Sequence, residues 1–206
     1  MHEIKRMVLG PINTNTYIID NEIIIDPAAH AESIAEELEG RTPIAILLTH
    51  GHFDHMLAVN KLREIYPYLP VYCHPGDMEI LAHPGEELVW RNYTENAVYE
   101  FTPLEDGQIL RFNNVELRVI HTPGHTEGCV CYYDAEDKVL FSGDTIFFES
   151  YGRTDFKTGS MPKIKDSIFN KIFGGFADED VAVIYPGHGQ ETTLAHERLH
   201  NPILVD

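Results

Sequence analysis

Apolar positions run along this chain in two rhythms that alternate from end to end. "NTYIID" and "EIIIDP", separated by little more than Asn21, read as two adjacent strands. "AESIAEELEG" follows with an apolar stripe at Ala31, Ile34, Ala35 and Leu38, the spacing of one helix face, and Gly40 is placed to stop it. "PIAILLT" is an unbroken apolar run of the kind that forms a strand buried on both faces, and it delivers His50 at its end. Helical spacing returns at Ala58, Leu62 and Ile65, which puts Asp54 and His55 near that helix's first turn. "PVYCH" is a further short strand.

From Pro75 to Pro103 the rhythm fades, with Trp90, Tyr93, Tyr99 and Phe101 scattered among acidic residues; a helix and loop capping a cleft would fit. Two hairpins then follow. "QILRFNNVELRVIH" turns at Asn113-Asn114, and "CVCYYDAEDKVLFSGD" turns around Ala135-Glu136. "IKDSIFNKIF", "VAVIYP" and "ETTLAHERLH" close the chain as helix, strand and helix. No linker, repeat or low-complexity tract interrupts this order, so one domain over residues 1–206 is expected. Two groups of strands, each with helices, predict an α/β (α+β) fold of four layers, αββα, in which sheets pack face to face with helices outside.

Composition narrows the classes of partner. At 206 residues, 43% hydrophobic and 23% charged, the chain can bury the core of one large globular domain. A net charge of -18 argues against a nucleic-acid backbone as partner, because such binding draws on Lys and Arg. "MHEIKRMVLGPI" has no apolar signal region and no stretch approaches a membrane span, so a cytoplasmic protein without membrane contact is expected. Cys73, Cys129 and Cys131 are too sparse and odd for a disulfide framework. Cys129 and Cys131 are read as small buried apolar residues.

The chemistry concentrates in "THGHFDH", three histidines and an aspartate in six positions. In a chain leaving a strand extended, His50 and His52 project to one side, and Gly51 between them adds no bulk. Asp54 and His55, on the next turn of backbone, reach toward the same cavity from another angle. Each remaining candidate also follows a strand: His125 in "HTPGHTEG", Asp144 in "LFSGDT" and His188 in "VIYPGHG". His121 is given a strand-end or supporting role; His2, His30, His74, His83, His196 and His200 are read as surface residues.

Seven ligands exceed one tetrahedral ion and suit two ions sharing a carboxylate. One ion would take His50, His52 and His125, the other Asp54, His55 and His188, with Asp144 bridging. Zn2+ is expected, and imidazole with carboxylate also suits iron or manganese.

These four motifs, in this order and over essentially the whole chain, resemble those of the metallo-β-lactamase superfamily, and within it the small glyoxalase II-like (hydroxyacylglutathione hydrolase-like) enzymes. The resemblance implies the αββα sandwich with a dinuclear site at one edge of the sheets, and the same ligand set. Lactamases of the superfamily usually lack a histidine where His55 stands, and many carry a cysteine where Asp144 stands, which leaves thioester hydrolysis in front. Two departures stand out. Full-length glyoxalase II enzymes add a helical glutathione-binding domain, for which the chain, ending at Asp206, has no room. The usual Asp-Pro-Gly turn reads Asp26-Pro27-Ala28.

The expected activity is hydrolysis of a small anionic thioester such as S-lactoylglutathione by a metal-bridging hydroxide, since bound metal lowers the pKa of water from about 15.7 to about 7. Asp54 and Asp144 would orient that hydroxide. Tyr151, Arg153 and Lys157, in "SYGRTDFKTG", would contact an anionic tail, although Arg153 and Asp155 equally read as a structural ion pair. Three alternatives remain: a mononuclear iron persulfide dioxygenase, whose family shares that segment, a lactone hydrolase, and a non-catalytic metal-binding module.

Overall fold

The computed structural model describes residues 1–86 and 93–205. The chain divides into two compact units, His2–Leu104 and Glu105–Asp206, the second joined by Met1.

The first unit is built on a six-stranded sheet. Its order follows the chain: β1 (Ile4–Leu9), β2 (Thr14–Ile19), β3 (Ile23–Ile25), β4 (Ala45–Leu47), β5 (Val71–Cys73) and β6 (Thr102–Pro103). The first two junctions are antiparallel and the rest parallel. Parallel neighbours need a crossover. Three short helices serve in turn: α1 (Ala31–Glu37), α2 (Val59–Ile65) and α3 (Met78–Ala82).

Every residue of β3 and β4 is buried, as their unbroken apolar runs require. Ile18, Ile24, Ile34, Leu38, Ile46 and Leu62 form the centre of the core. The chain reverses just beyond α1 through Glu39 (φ +54) and Gly40 (φ +80), the expected stop.

Two features depart from the sequence reading. β1 was not anticipated; it is an edge strand carrying Lys5 and Arg6, held to β2 by six residue pairs, and edge strands tolerate such charges. Asp54 and His55 do not enter α2. They occupy a separate 3-10 turn, Phe53–His55, and Met56 (φ -134, ψ 2) breaks the helical path before α2 begins at Val59. Trp90, in the cap expected between Pro75 and Pro103, lies outside the described residues; α3 supplies the helix of that stretch.

The second unit holds β7 (Ile109–Phe112), β8 (Val115–His121), β9 (Val130–Asp134) and β10 (Val139–Gly143) as an antiparallel meander. A small hairpin, β11 (Ile146–Phe147) and β12 (Ser150–Tyr151), follows; it too was unforeseen. β13 (Val183–Pro186) pairs parallel with β10. The β9–β10 turn is set by Asp134, whose Oδ1 accepts from the amides of Glu136 (2.9 Å) and Asp137 (3.1 Å).

α4 (Met161–Asp166) continues into a π-helical stretch, Ser167–Phe173. Ile164, Ile168 and Ile172, spaced by four, are all fully buried, which suits that wider turn. α5 (Leu194–His200) packs Leu194 into the same core. Among the described residues no helix is long and apolar enough to cross a membrane.

Candidate metal centre

Where β4 ends, the chain turns through "THGHFDH" and brings its four candidate ligands together. His50, His52, Asp54 and His55 are all buried. His50 Nε2 lies 3.1 Å from His52 Nδ1, and His55 Nε2 lies 3.2 Å from Asp54 Oδ2. The ring centroids of His50 and His55 are 4.2 Å apart.

Asp26 organises this group. Its Oδ1 accepts from the Thr49 amide (2.7 Å), and its Oδ2 accepts from the Thr49 hydroxyl (2.6 Å) and from His55 Nδ1 (2.8 Å). A hydroxyl has one proton. Thr49 gives its proton to Asp26, so at 3.1 Å it must accept one from His50 Nδ1. Both His50 and His55 therefore carry their protons on Nδ1 and keep the Nε2 lone pair for a ligand. The Thr14 hydroxyl donates to Asp54 Oδ2 (2.8 Å). Asp77 Oδ2 accepts from the Gly51 amide (2.8 Å), and a Cβ on Gly51 would stand 3.1 Å from the Asp77 Cβ, a tight contact that the glycine avoids.

In the second unit three strand ends bring His125, Asp144 and His188 together. Asp144 Oδ2 lies 3.4 Å from His125 Nε2 and 3.5 Å from His188 Nε2. A register shift between Phe141 and Gly143 bends the end of β10 and aims Asp144, and the Gly187 amide donates to the Gly143 carbonyl (2.8 Å). His125 Nδ1 donates to the Arg153 carbonyl at 2.8 Å, which again leaves Nε2 as the acceptor nitrogen. His121 stays at its strand end, with Nε2 on the Glu127 carbonyl (2.8 Å).

The Arg153 side chain forms the two-pronged pair with Asp155 (3.0 and 2.8 Å) and lies over the Phe156 ring. That hydrogen-bonded pair holds the exposed Asp155 carboxyl below the usual range. Tyr151 packs on the second unit's core, and Lys157 is exposed. Cys129 and Cys131 are buried, and burial pushes the Cys131 thiol up to about 11, so Cys131 offers no ready thiolate.

The donor sets fit divalent metal. Atoms bound at the about 2.0–2.1 Å usual for zinc stand about 3.3 Å apart around a tetrahedron. The four separations given above, 3.1, 3.2, 3.4 and 3.5 Å, bracket that edge. Facing lone pairs repel one another unless a proton or a cation lies between them, and the outer hydrogen bonds fix imidazole tautomers as metal ligands require.

Asp26, Thr49, Thr14, Asp77 and the Arg153 carbonyl were not foreseen as partners of the ligands. Only Asp26 left a trace in the sequence, as the first residue of the Asp-Pro-Ala turn. There Asp26 itself adopts the left-handed conformation (φ +49).

The chain resembles known proteins over nearly its full length. It is 33% identical over 208 residues to the probable metallo-hydrolase YqgX of Bacillus subtilis, covering 97% of this chain and 96% of that one. The hydroxyacylglutathione hydrolase GloC of Haemophilus influenzae is 31% identical over 198 residues, 89% of this chain and 87% of GloC. Among solved structures, the BLEG-1 B3 metallo-β-lactamase superposes with a TM-score of 0.90 at 38% identity, covering 99% of this chain and 100% of that one. TTHA1623, in a di-iron-bound form, gives 0.83 at 34% identity, covering 96% and 98%. The metallo-beta-lactamase superfamily profile matches residues 9–188. With candidate ligands at every motif position and relatives matched along most of their length, the chain belongs to the metallo-β-lactamase superfamily and is a divalent-metal-binding metallo-hydrolase of that fold.

Proposed function

We propose that the protein is a thioesterase of the glyoxalase II type, hydrolysing a small anionic thioester such as S-lactoylglutathione. His50, His52 and His125 would hold one divalent ion and Asp54, His55 and His188 a second, with Asp144 shared. The observation that carries the shared role is the position of Asp144 Oδ2, 3.4 and 3.5 Å from the Nε2 atoms of two histidines. The choice of substrate is supported by the likeness to GloC. Zinc is the expected metal; the di-iron form of TTHA1623 makes iron its rival.

When bound, the ions supply a Lewis acid and acidify water to a pKa of about 7. Asp54, oriented by the Thr14 hydroxyl, and Asp144 would accept hydrogen bonds from the attacking water and so aim it at the substrate carbonyl. The leaving thiolate has a conjugate acid of pKa about 8.5, so no side chain has to protonate it. Tyr151 and Lys157 are assigned to the anionic tail. The Arg153 guanidinium, already paired with Asp155, shapes the loop whose carbonyl holds His125.

The test is hydrolysis of S-D-lactoylglutathione by protein of measured metal content. Fast turnover that chelation abolishes is expected, and Asp144→Ala should lose more than about 100-fold, beyond the cost of losing an outer partner of a ligand. A fully active Asp144→Ala protein would overturn the shared-carboxylate reading. β-Lactam hydrolysis is the second reading, favoured by the 38% identity to BLEG-1. A chromogenic cephalosporin in the same assay separates the two.

A further inference from the structure

α5 carries a buried carboxylate that reaches the chain beyond both Asp144 and His188. Glu197 is fully buried. Its Oε1 accepts from the Thr192 hydroxyl (2.5 Å), and its two oxygens share the Glu149 amide (3.2 and 3.1 Å). Asn201, one helical turn on, donates through Nδ2 both to Glu197 Oε2 (2.7 Å) and to the Ser150 carbonyl (2.8 Å).

Thr192 lies on the segment that leaves His188, where it bridges back to Ile184 of β13. Glu149, in the turn, and Ser150, the first residue of β12, belong to the β11–β12 hairpin that leaves Asp144, and Glu149 is held at φ +49. Two more contacts from the same helix grip this turn: His196 Nε2 meets Glu149 Oε1 at 3.0 Å, and the Phe148 ring stacks on His196. Phe147, on the same hairpin, sets its ring edge-on to His188 with centroids 6.0 Å apart.

We infer that Glu197 is a positioning residue for the metal centre: it ties the hairpin after Asp144 to the strand end bearing His188, and so fixes the separation of those two ligands. The inference rests on the reading that Asp144 and His188 hold metal. A carboxylate is required because Glu197 accepts from a hydroxyl, a backbone amide and a side-chain amide at once, and donates nothing. Glutamine would turn an NH2 group toward one of those donors, a mismatch in a buried setting.

The experiment is chelator competition with zinc on wild type, Glu197→Gln, His188→Ala and the double variant, alongside thermal unfolding of each metal-free protein. Wild type should bind two zinc ions. Glu197→Gln should bind one ion as wild type does and the other about tenfold more weakly, the low end of what partners outside the ligand shell contribute. The same substitution should add nothing in the His188→Ala background.

If wild type fails to bind two ions, the dinuclear reading fails before the inference is reached. If Glu197→Gln binds both ions as wild type does while its metal-free form melts earlier, Glu197 only supports the fold and the inference is overturned. Glu197→Asp, which keeps the charge but shortens the reach, gives a folded alternative should the glutamine variant not accumulate, and the same weakening of one ion is expected of it.

Discussion

Asp26 sets the tautomers of two candidate histidine ligands through a single carboxylate, directly for His55 and by way of the Thr49 hydroxyl for His50. Asparagine there would present an NH2 to one of these partners and free the tautomers. Asp26→Asn should therefore weaken zinc by about 10–100-fold in chelator competition, with every ligand still in place. Unchanged affinity would mean the tautomers are fixed in some other way. This residue also marks how far sequence reading reaches. The candidate ligands were legible because histidine and aspartate at strand ends are chemically distinctive. Their partners were not, because threonine, a remote aspartate or a backbone carbonyl acquires its role only through the fold. Arg153 shows the limit: its side chain was read as a substrate contact or as a structural ion pair with Asp155, whereas the contact of its carbonyl with His125 was not foreseen.

Among the elements, the loop that carries His125 depends on how closely it meets α4. Gly124 has φ +145, and a Cβ there would stand 2.3 Å from the Ile164 amide nitrogen; the Ser160 amide also donates to the Gly124 carbonyl (2.7 Å). Gly124→Ala must push helix and loop apart. A loss of about 3 kcal/mol or more is expected in urea unfolding, together with weakened metal binding. A variant of wild-type stability would show that the loop yields easily. The elements most legible in the sequence were those with strong periodicity or a long apolar run, such as β4, α1 and the β7–β8 and β9–β10 hairpins. β1 escaped notice because Lys5 and Arg6 break its apolar run and only pairing with β2 makes it a strand. The β11–β12 hairpin has two-residue strands, too short for any period to show. The helical rhythm of "IKDSIFNKIF" was read correctly, but a spacing of four belongs to α- and π-helical turns alike, so the π-helical stretch left no mark in the sequence.

For the whole molecule, a charge of -18 makes bound cations a component of stability as well as of chemistry. Chelation should lower the unfolding temperature, and added zinc should restore it by an amount that grows with free metal, reaching about 4 kcal/mol at a thousandfold excess over the dissociation constant. A midpoint indifferent to metal would exclude tight binding to the native state. The separate contributions of the two units have a further consequence, for biosynthesis. His50, His52, Asp54 and His55 are near neighbours in the chain, so gathering them closes almost no loop, whereas Asp144 meets His188 only once β13 has joined β10. A ribosome making this protein thus releases four of the seven candidate ligands early and the last of them, His188, near the end of translation. During that interval the nascent chain offers an incomplete set of donors, and the cell's thiols compete with it for metal before the enzyme is finished.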